Sequence, residues 1–567
     1  MNTPQAHEHD VIVVGSGAAG LATALFAALD GLDVLVLEQS PWIGGTSALS
    51  AGAMWIPNTP HGAAAGDTPE RAAAYLAAAT QGESPTALRE AFLRLGADAV
   101  QRLESEAGVP LRAFAHHPDY LGDLPGASTA GRVLECPPFD GRRLGADFAR
   151  LRPPIPEFTV LGGMMVDRTD IGHLLAMGRS WASLRHAAGL LARHAADRLR
   201  HPRGTRLVMG NALVGWLLHA LRERGVPVWT RSAALGLLHD GDRVCGVRLQ
   251  RDGTTLICRA RRAVVMAGGG FNDHPDWRAR WLPPAVRHSP RAGTSQGALL
   301  TDALRLGARL GDAPGSSACW APVSVHPRRD GSTAVFPHFV LDRAKPGTLV
   351  VDPQGRRFLD ESSSYHRFGE AMLAHAPAGG EAAAWLLADR EAVQRYGLGL
   401  VRPGARGLRR YVREGHVLRA RTLPELARAM GVPADALVRG VARFNALADA
   451  GLDSDHGRGR TPYQRHLGDP AVVPNPSLRA LREGPFHALR LQVGDIAGSR
   501  GLLTDAAARV LGPDGPIPGL HAVGNDMQSV MGSHYPGPGI NLGPAIVFAH
   551  AAALALRRGT PDPLETP

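Results

Sequence analysis

The sequence predicts an α/β protein in which a nucleotide-binding domain draws on both chain ends and an α+β domain is inserted between them. Three observations carry this reading. Near the N-terminus an apolar run, DVIVV at 10–14, passes straight into glycines. Near the C-terminus a second glycine-rich segment, GNDMQSVMGSHYPGPGINLGPA, occupies 524–545. The stretch between, about 285–489, has helix and strand patterns of its own. At 567 residues the chain is too long for one simple core, and 44% hydrophobic residues can build more than one.

The N-terminal pattern comes first. After DVIVV and the glycines, LATALFAALDG reads as a helix, and DVLVLE at 33–38 as a second strand, which makes a βαβ unit. Gly15 permits the tight turn, Gly17 lets backbone approach a pyrophosphate, and Gly20 lets the helix pack closely on the sheet. Ala18 and Ala19 open the helix, whose unpaired N–H groups suit phosphate. Glu38 closes the second strand at the spacing of an acid that bonds a ribose hydroxyl, with Gln39 beside it. NAD and FAD both remain open here.

The next segment argues for FAD. In PWIGGTSALSAGAMWIPN at 41–58, the small residues Gly44, Gly45, Thr46, Ser47, Ala51 and Gly52 let the chain run beside a large flat ring system. The strand ARRAVVMAGGGF at 260–271 ends in Ala267, Gly268 and Gly269, and GLLTDAAARVLGPDGPIPGLHAVGN returns a strand pair to Gly524 and Asn525. Gly539 and Leu542 complete the expected cofactor contacts. The fold expected is a Rossmann-like FAD-binding domain, 1–284 plus 490–567, with a helical insertion at about 110–210 and an α+β substrate cap at 285–489. AFLRLGADAV reads as a helix, and LPELARAMGVPADALVRGVARFNALADAG as two, interrupted at Gly431 and Pro433.

Composition narrows the function. The net charge of +10 rests almost wholly on arginine, Lys345 being the single lysine, and no nucleic-acid motif accompanies it. Cys136, Cys245, Cys258 and Cys319 are widely spaced, so neither a disulfide framework nor a metal site is expected. No signal-peptide pattern or spanning apolar run is present, and the expected location is the cytoplasm. The stretch 173–206, with Arg179, Arg185, Arg193, Arg198, Arg200, Arg203 and Arg206, leaves two readings: a surface that rests on a membrane, or a solvated helical insertion, which is preferred.

The chemistry is sought among seven tyrosines. Tyr120 in HHPDYLGDLPG, Tyr365 in FLDESSSYHRF and Tyr535 in HYPGPG stand in polar or glycine-rich contexts rather than on apolar helical faces. A phenol can hydrogen-bond a carbonyl or, ionised, accept a proton, so two phenols can polarise a ketone and remove a neighbouring proton.

These segments resemble the 3-ketosteroid Δ1-dehydrogenases, a branch of the flavoprotein group that includes fumarate reductases and succinate dehydrogenases. The likeness rests on HDVIVVGSGAAG, GGTSALSAGAMWIPN, HPRG at 201–204, VDPQGRRFLDESSSY, RFNALADAGLDSDHGRG, the Asp-Pro and Pro-Asn-Pro context at 469–476, and AVGNDMQSVMGSHYPGPG. It implies that Tyr535 and the Gly539 N–H hold a ring-ketone oxygen, that Tyr365 is the base, and that Tyr120 assists it. Thr46 and Ser47 stand where covalent relatives place a flavin-linking histidine, so noncovalent FAD is expected. The substrate implied is an apolar cyclic ketone, first of all a steroid, with a quinone or dye-like electron acceptor. The sequence departs from the family pattern at GTSQG (293–297), at Asn541 and in the LGD after Tyr120, all close to the expected substrate. A desaturase of a smaller ketone, of the cyclohexanone or oxocyclohexanecarboxylate type, is the main alternative. Behind it stand a fumarate-reductase-like enzyme, which would need carboxylate-clamping arginines where this chain has YPGPG with Arg500 the one arginine nearby, and a flavin carrier without desaturase chemistry.

Overall fold

The computed structural model describes residues 6–558. Ala6–Val14 forms the first strand, Ala18–Leu29 the helix and Val34–Leu37 the second strand, as the glycine spacing predicts. The two strands pair in parallel and anchor an eight-stranded sheet, in which Thr254–Met266 lies on the other side of Ala6–Val14. The C-terminal strand Gly515–Ala522 adds to Thr254–Met266 in parallel, with Val264 opposite Leu520. Both chain ends therefore meet in one sheet. The last helix, Leu542–Arg558, packs on Ala18–Leu29, and apolar side chains such as Leu21, Phe26, Ile546 and Phe548 bury the contact completely.

The second sheet has six strands, all antiparallel. Phe486–Gly498 is its hub, pairing with Ala318–Pro327, Ala383–Ala388 and Val417–Ala420. The expected boundary at 489–490 falls inside this hub strand, which runs from Phe486 to Gly498 and is buried along most of its length on both faces, so its residues carry no mark of a domain edge. The helices Leu423–Met430 and Ala434–Ala450 cover this sheet and part at Gly431, whose φ of 72° closes the first of them.

The insertion is less helical than expected. Residues 112–165 consist of short strand pairs and 3₁₀ turns, and only Arg168–Leu175 and Trp181–Arg198 are α-helices. Arg203 is buried on Asn211 and the Leu151 carbonyl, and Arg206 pairs with Asp170 at 2.6 Å, so these two arginines are structural rather than part of a basic surface. Trp181 and Leu199, 79% and 86% exposed, stand outward at the two ends of the second helix among Arg179, Arg185, Arg198 and Arg200. No helix among the described residues is long and apolar enough to cross a membrane.

Candidate active site

The two chain ends and the cap strands enclose one elongated cavity of about 680 Å³. Its first half is the glycine-lined channel above the first sheet. Gly15, Gly17, Ala18, Ala19, Glu38, Gln39, Gly45, Thr46, Ser47, Ala51, Gly52, Ala267, Gly268, Gly269, Gly524, Asn525, Gly539 and Leu542 all line it. Two expected residues do not. Gly20 sits behind the turn, where a Cβ would lie 1.9 Å from the Gly15 carbonyl oxygen, so it serves the helix–sheet crossing alone. Gly44 is buried against Val214 and donates its N–H to Ser16 Oγ. Segment 294–299, which includes most of the GTSQG departure noted in the sequence, also lines the cavity.

Glu38 is 5% exposed and held from both sides, accepting from Ser16 Oγ at 2.6 Å and from Ser40 N at 2.8 Å. Asp526, just past Asn525, receives the N–H groups of Gly268 and Gly270, while burial raises its pKa to about 6. The channel suits a dinucleotide: small residues where a Cβ would fill the space, a helix N-terminus, and a fixed carboxylate at the end of the second strand.

The second half of the cavity is aromatic. Tyr120, Tyr365 and Tyr535 all line it and pack on one another, Tyr365 lying 5.0 Å from Tyr535 and 5.5 Å from Tyr120 between ring centroids. A fourth phenol, Tyr463, packs 4.5 Å from Tyr120 and escaped the sequence reading because it lies on a short helix far away in the chain. Burial raises all four pKa values, that of Tyr463 to about 12. The contacts of Tyr365 with Tyr120 and Tyr535 raise it further, whereas its own hydrogen bond acts to lower each of those two against the larger effect of burial.

Each phenol is placed by local structure. Tyr365 opens the helix Tyr365–His375, capped by Ser364. The preceding Glu361 is fully buried and gripped by Arg357 at 2.7 Å and Arg458 at 3.2 Å, so the Asp-Glu-Ser motif anchors the helix start. Tyr535 receives the Asn541 side-chain amide at 3.3 Å. Gly539 has φ 91°, and a Cβ there would lie 2.2 Å from the Ala53 carbonyl oxygen. Its N–H has no acceptor among the described residues, and it stands just before the N-terminus of Leu542–Arg558.

Tyr120 is set by two buried devices. Tyr75 Oη donates to the Pro536 carbonyl at 2.6 Å and accepts from Leu121 N, while Tyr120 N donates to the same carbonyl at 2.9 Å. Beside it, Arg132 bridges Asp67 and Asp119, and Asp119 accepts the Trp55 indole N–H. Arg132 is 1% exposed, so Arg132→Ala should cost about 3–5 kcal/mol by leaving two buried carboxylates unpaired. Urea unfolding with wild type as reference measures it.

Ser324, His338 and Asp342 form a hydrogen-bonded row, 2.9 and 2.6 Å apart, that mimics a hydrolase triad. All three are at most 2% exposed and none reaches the cavity, so the row braces the cap and has no substrate to attack.

The chain resembles known proteins along nearly its whole length. The family model described as FAD binding domain matches residues 10–542, and the chain is an FAD-dependent oxidoreductase. It is 36% identical to 4-oxocyclohex-2-ene-1-carboxylate 5-dehydrogenase of Sinomonas cyclohexanicum, over 97% of this chain and 94% of that one. It is 34% identical to 3-oxosteroid 1-dehydrogenase of Mycolicibacterium smegmatis, over 96% and 97%. Its fold matches a crystal structure of 3-ketosteroid Δ1-dehydrogenase from Sterolibacterium denitrificans in complex with 1,4-androstadiene-3,17-dione, with a TM-score of 0.89, 35% identity and 98% and 100% coverage. The chain belongs to the 3-ketosteroid Δ1-dehydrogenase family.

Proposed function

We propose that this chain introduces a C=C bond beside a ring ketone, by phenol-assisted enolisation next to FAD, with 3-ketosteroids as the first substrate class to test. The observation that carries the reading is the convergence of Tyr120, Tyr365, Tyr535 and the free Gly539 N–H on one cavity continuous with the glycine-lined channel. Tyr535 Oη and Gly539 N–H hold the ketone oxygen, and the positive end of Leu542–Arg558 favours the charge that develops there. The carbon beside the ketone becomes acidic. Tyr365 takes its proton, and Tyr120 shares the load through the contact between the two phenols. The surrounding aromatic rings keep water from the enolate. Bound FAD supplies the acceptor for the hydride that leaves the adjacent carbon.

Since every phenol in the set is raised, the base is neutral at rest and its ionised fraction grows with pH. The rate of ketone-driven flavin bleaching should therefore climb from about pH 7 to about pH 10 without a plateau. A plateau below about pH 8 would point to a base other than a tyrosine.

The direct test is anaerobic bleaching of the bound flavin by 4-androstene-3,17-dione, cyclohexanone and 4-oxocyclohexanecarboxylate, with products weighed by mass spectrometry. Loss of two hydrogens from any of the three supports the desaturase; silence from all three overturns it. A single-ring oxo acid is the second reading, favoured by a cavity cation, Arg168, that has no acid partner. Reoxidation by a quinone or dye-like acceptor belongs to the same reading, as does peripheral membrane contact through the face around Trp181 and Leu199, which cosedimentation with anionic vesicles checks.

A further inference from the structure

We propose that Arg168, with His117, is a carboxylate anchor, and that the substrate is a ring ketone that also carries a carboxylate. The inference rests on the ring-ketone reading and narrows its substrate class.

The lining beyond the glycine channel is mixed. It includes the phenols and Gly539, the apolar side chains Phe114, Ile155, Phe158, Phe339 and Val340, and the polar groups Arg112, Glu135, Asp167, Arg168 and His117. Most of these charges are already committed. Arg112 pairs with Glu135 at 2.7 Å, and Asp167 pairs with Arg206 at 3.3 Å while capping the helix Arg168–Leu175. Arg291, the remaining cation of the cavity, is held by Asp273 and Asp495. The Arg168 side chain, which is exposed where it borders the cavity, is the one arginine of the lining that makes no ion pair or hydrogen bond with a described residue. Its guanidinium offers a planar fork of donors, the geometry that matches a carboxylate.

His117 supplies the independent observation. It is 6% exposed, it lines the same cavity, and its Nδ1 is buried without a hydrogen-bond partner. A buried polar nitrogen left unpaired is costly, and a ligand that pairs with it recovers that loss. Burial, then the charge of Arg168 and the neighbouring His466, hold His117 neutral, with a pKa near 3. As the Nδ1–H tautomer it donates to a carboxylate oxygen without adding charge. The same Arg168 charge acts on Tyr120 and Tyr463, which places the anchor within electrostatic reach of the phenols. A bare hydrocarbon ring system would leave the buried His117 nitrogen without a partner.

The test compares 4-oxocyclohexanecarboxylate with its methyl ester, and 3-oxo-4-androstene-17β-carboxylate with its methyl ester, in wild type and Arg168→Gln. Wild type should prefer at least one acid to its ester, and the pair that shows the preference tells whether one ring or four separate ketone from carboxylate. Arg168→Gln should raise the KM of that acid about 10- to 150-fold more than that of its ester, the loss expected for a hydrogen bond to a charged group. Arg168→Lys should restore part of it, and unchanged FAD content and melting temperature show that the fold survives. Equal treatment of acid and ester by wild type, or equal losses in the variant, overturns the anchor while leaving the desaturase intact. Should no ketone turn over, the desaturase reading falls instead, and titration with 4-hydroxybenzoate and its methyl ester, followed by the flavin spectrum, decides the anchor by binding alone.

Discussion

Tyr535→Phe is expected to slow ketone-driven bleaching of the flavin by about 10²- to 10³-fold, the usual cost of removing one donor to a developing oxyanion. The substitution keeps the ring, and with it the packing on Tyr365 and His366. It removes one hydroxyl, whose protein partner is the Asn541 amide. FAD content should therefore stay at the wild-type level. The loss should fall mainly on kcat, because the oxygen being held carries full charge only as the proton leaves. Single-turnover bleaching under argon measures it. A loss confined to KM would mean that Tyr535 merely shapes the pocket.

Gly15→Ala should have the second largest effect, at a different point in the chain of causes. Gly15 has φ 116°, and a Cβ would stand 2.1 Å from the Ala267 carbonyl oxygen and 2.6 Å from its carbon. Neither atom can move alone, since both belong to the strand-end turn that lines the channel. The strained backbone and the collision together should destabilise the protein by about 2–6 kcal/mol. The variant should be purified with little or no flavin. Absorbance of the flavin relative to protein, together with thermal unfolding, tests both parts; a fully yellow, fully stable Gly15→Ala protein would remove the turn from the cofactor site.

What could be read in the sequence was what is local. The first βαβ unit follows from three glycines and an acid within about thirty residues, and it stands as expected from Ala6 to Leu37. The three expected phenols converge because each sits beside residues that fix its loop or helix start. Gly44 was misplaced by the same kind of reasoning: one glycine of a pair faces the channel and the other the core, and composition does not say which. Tyr75 was beyond reach for a different reason. It looked like an ordinary side chain on an apolar helix face, and its partner, the Pro536 carbonyl, lies 461 residues away. Arg168 was hidden among the other arginines of a chain with hardly any lysine, and only the pairing of its neighbours sets it apart.

The hub strand Phe486–Gly498 bears on how such proteins can be recombined. Its early residues hold strands of the cap, and by Asp495 it has reached the buried ion pairs with Arg278 and Arg291 that lie beside the cofactor channel. A chimera that exchanged caps between relatives at about residue 490 would cut this strand and join halves shaped by different histories. Crossovers placed beyond Gly498, with the strand moved whole, keep its pairing with the donor's own sheet. The cap and the first step of the return path are thus one continuous strand, and an exchange that respects the fold moves them as a unit.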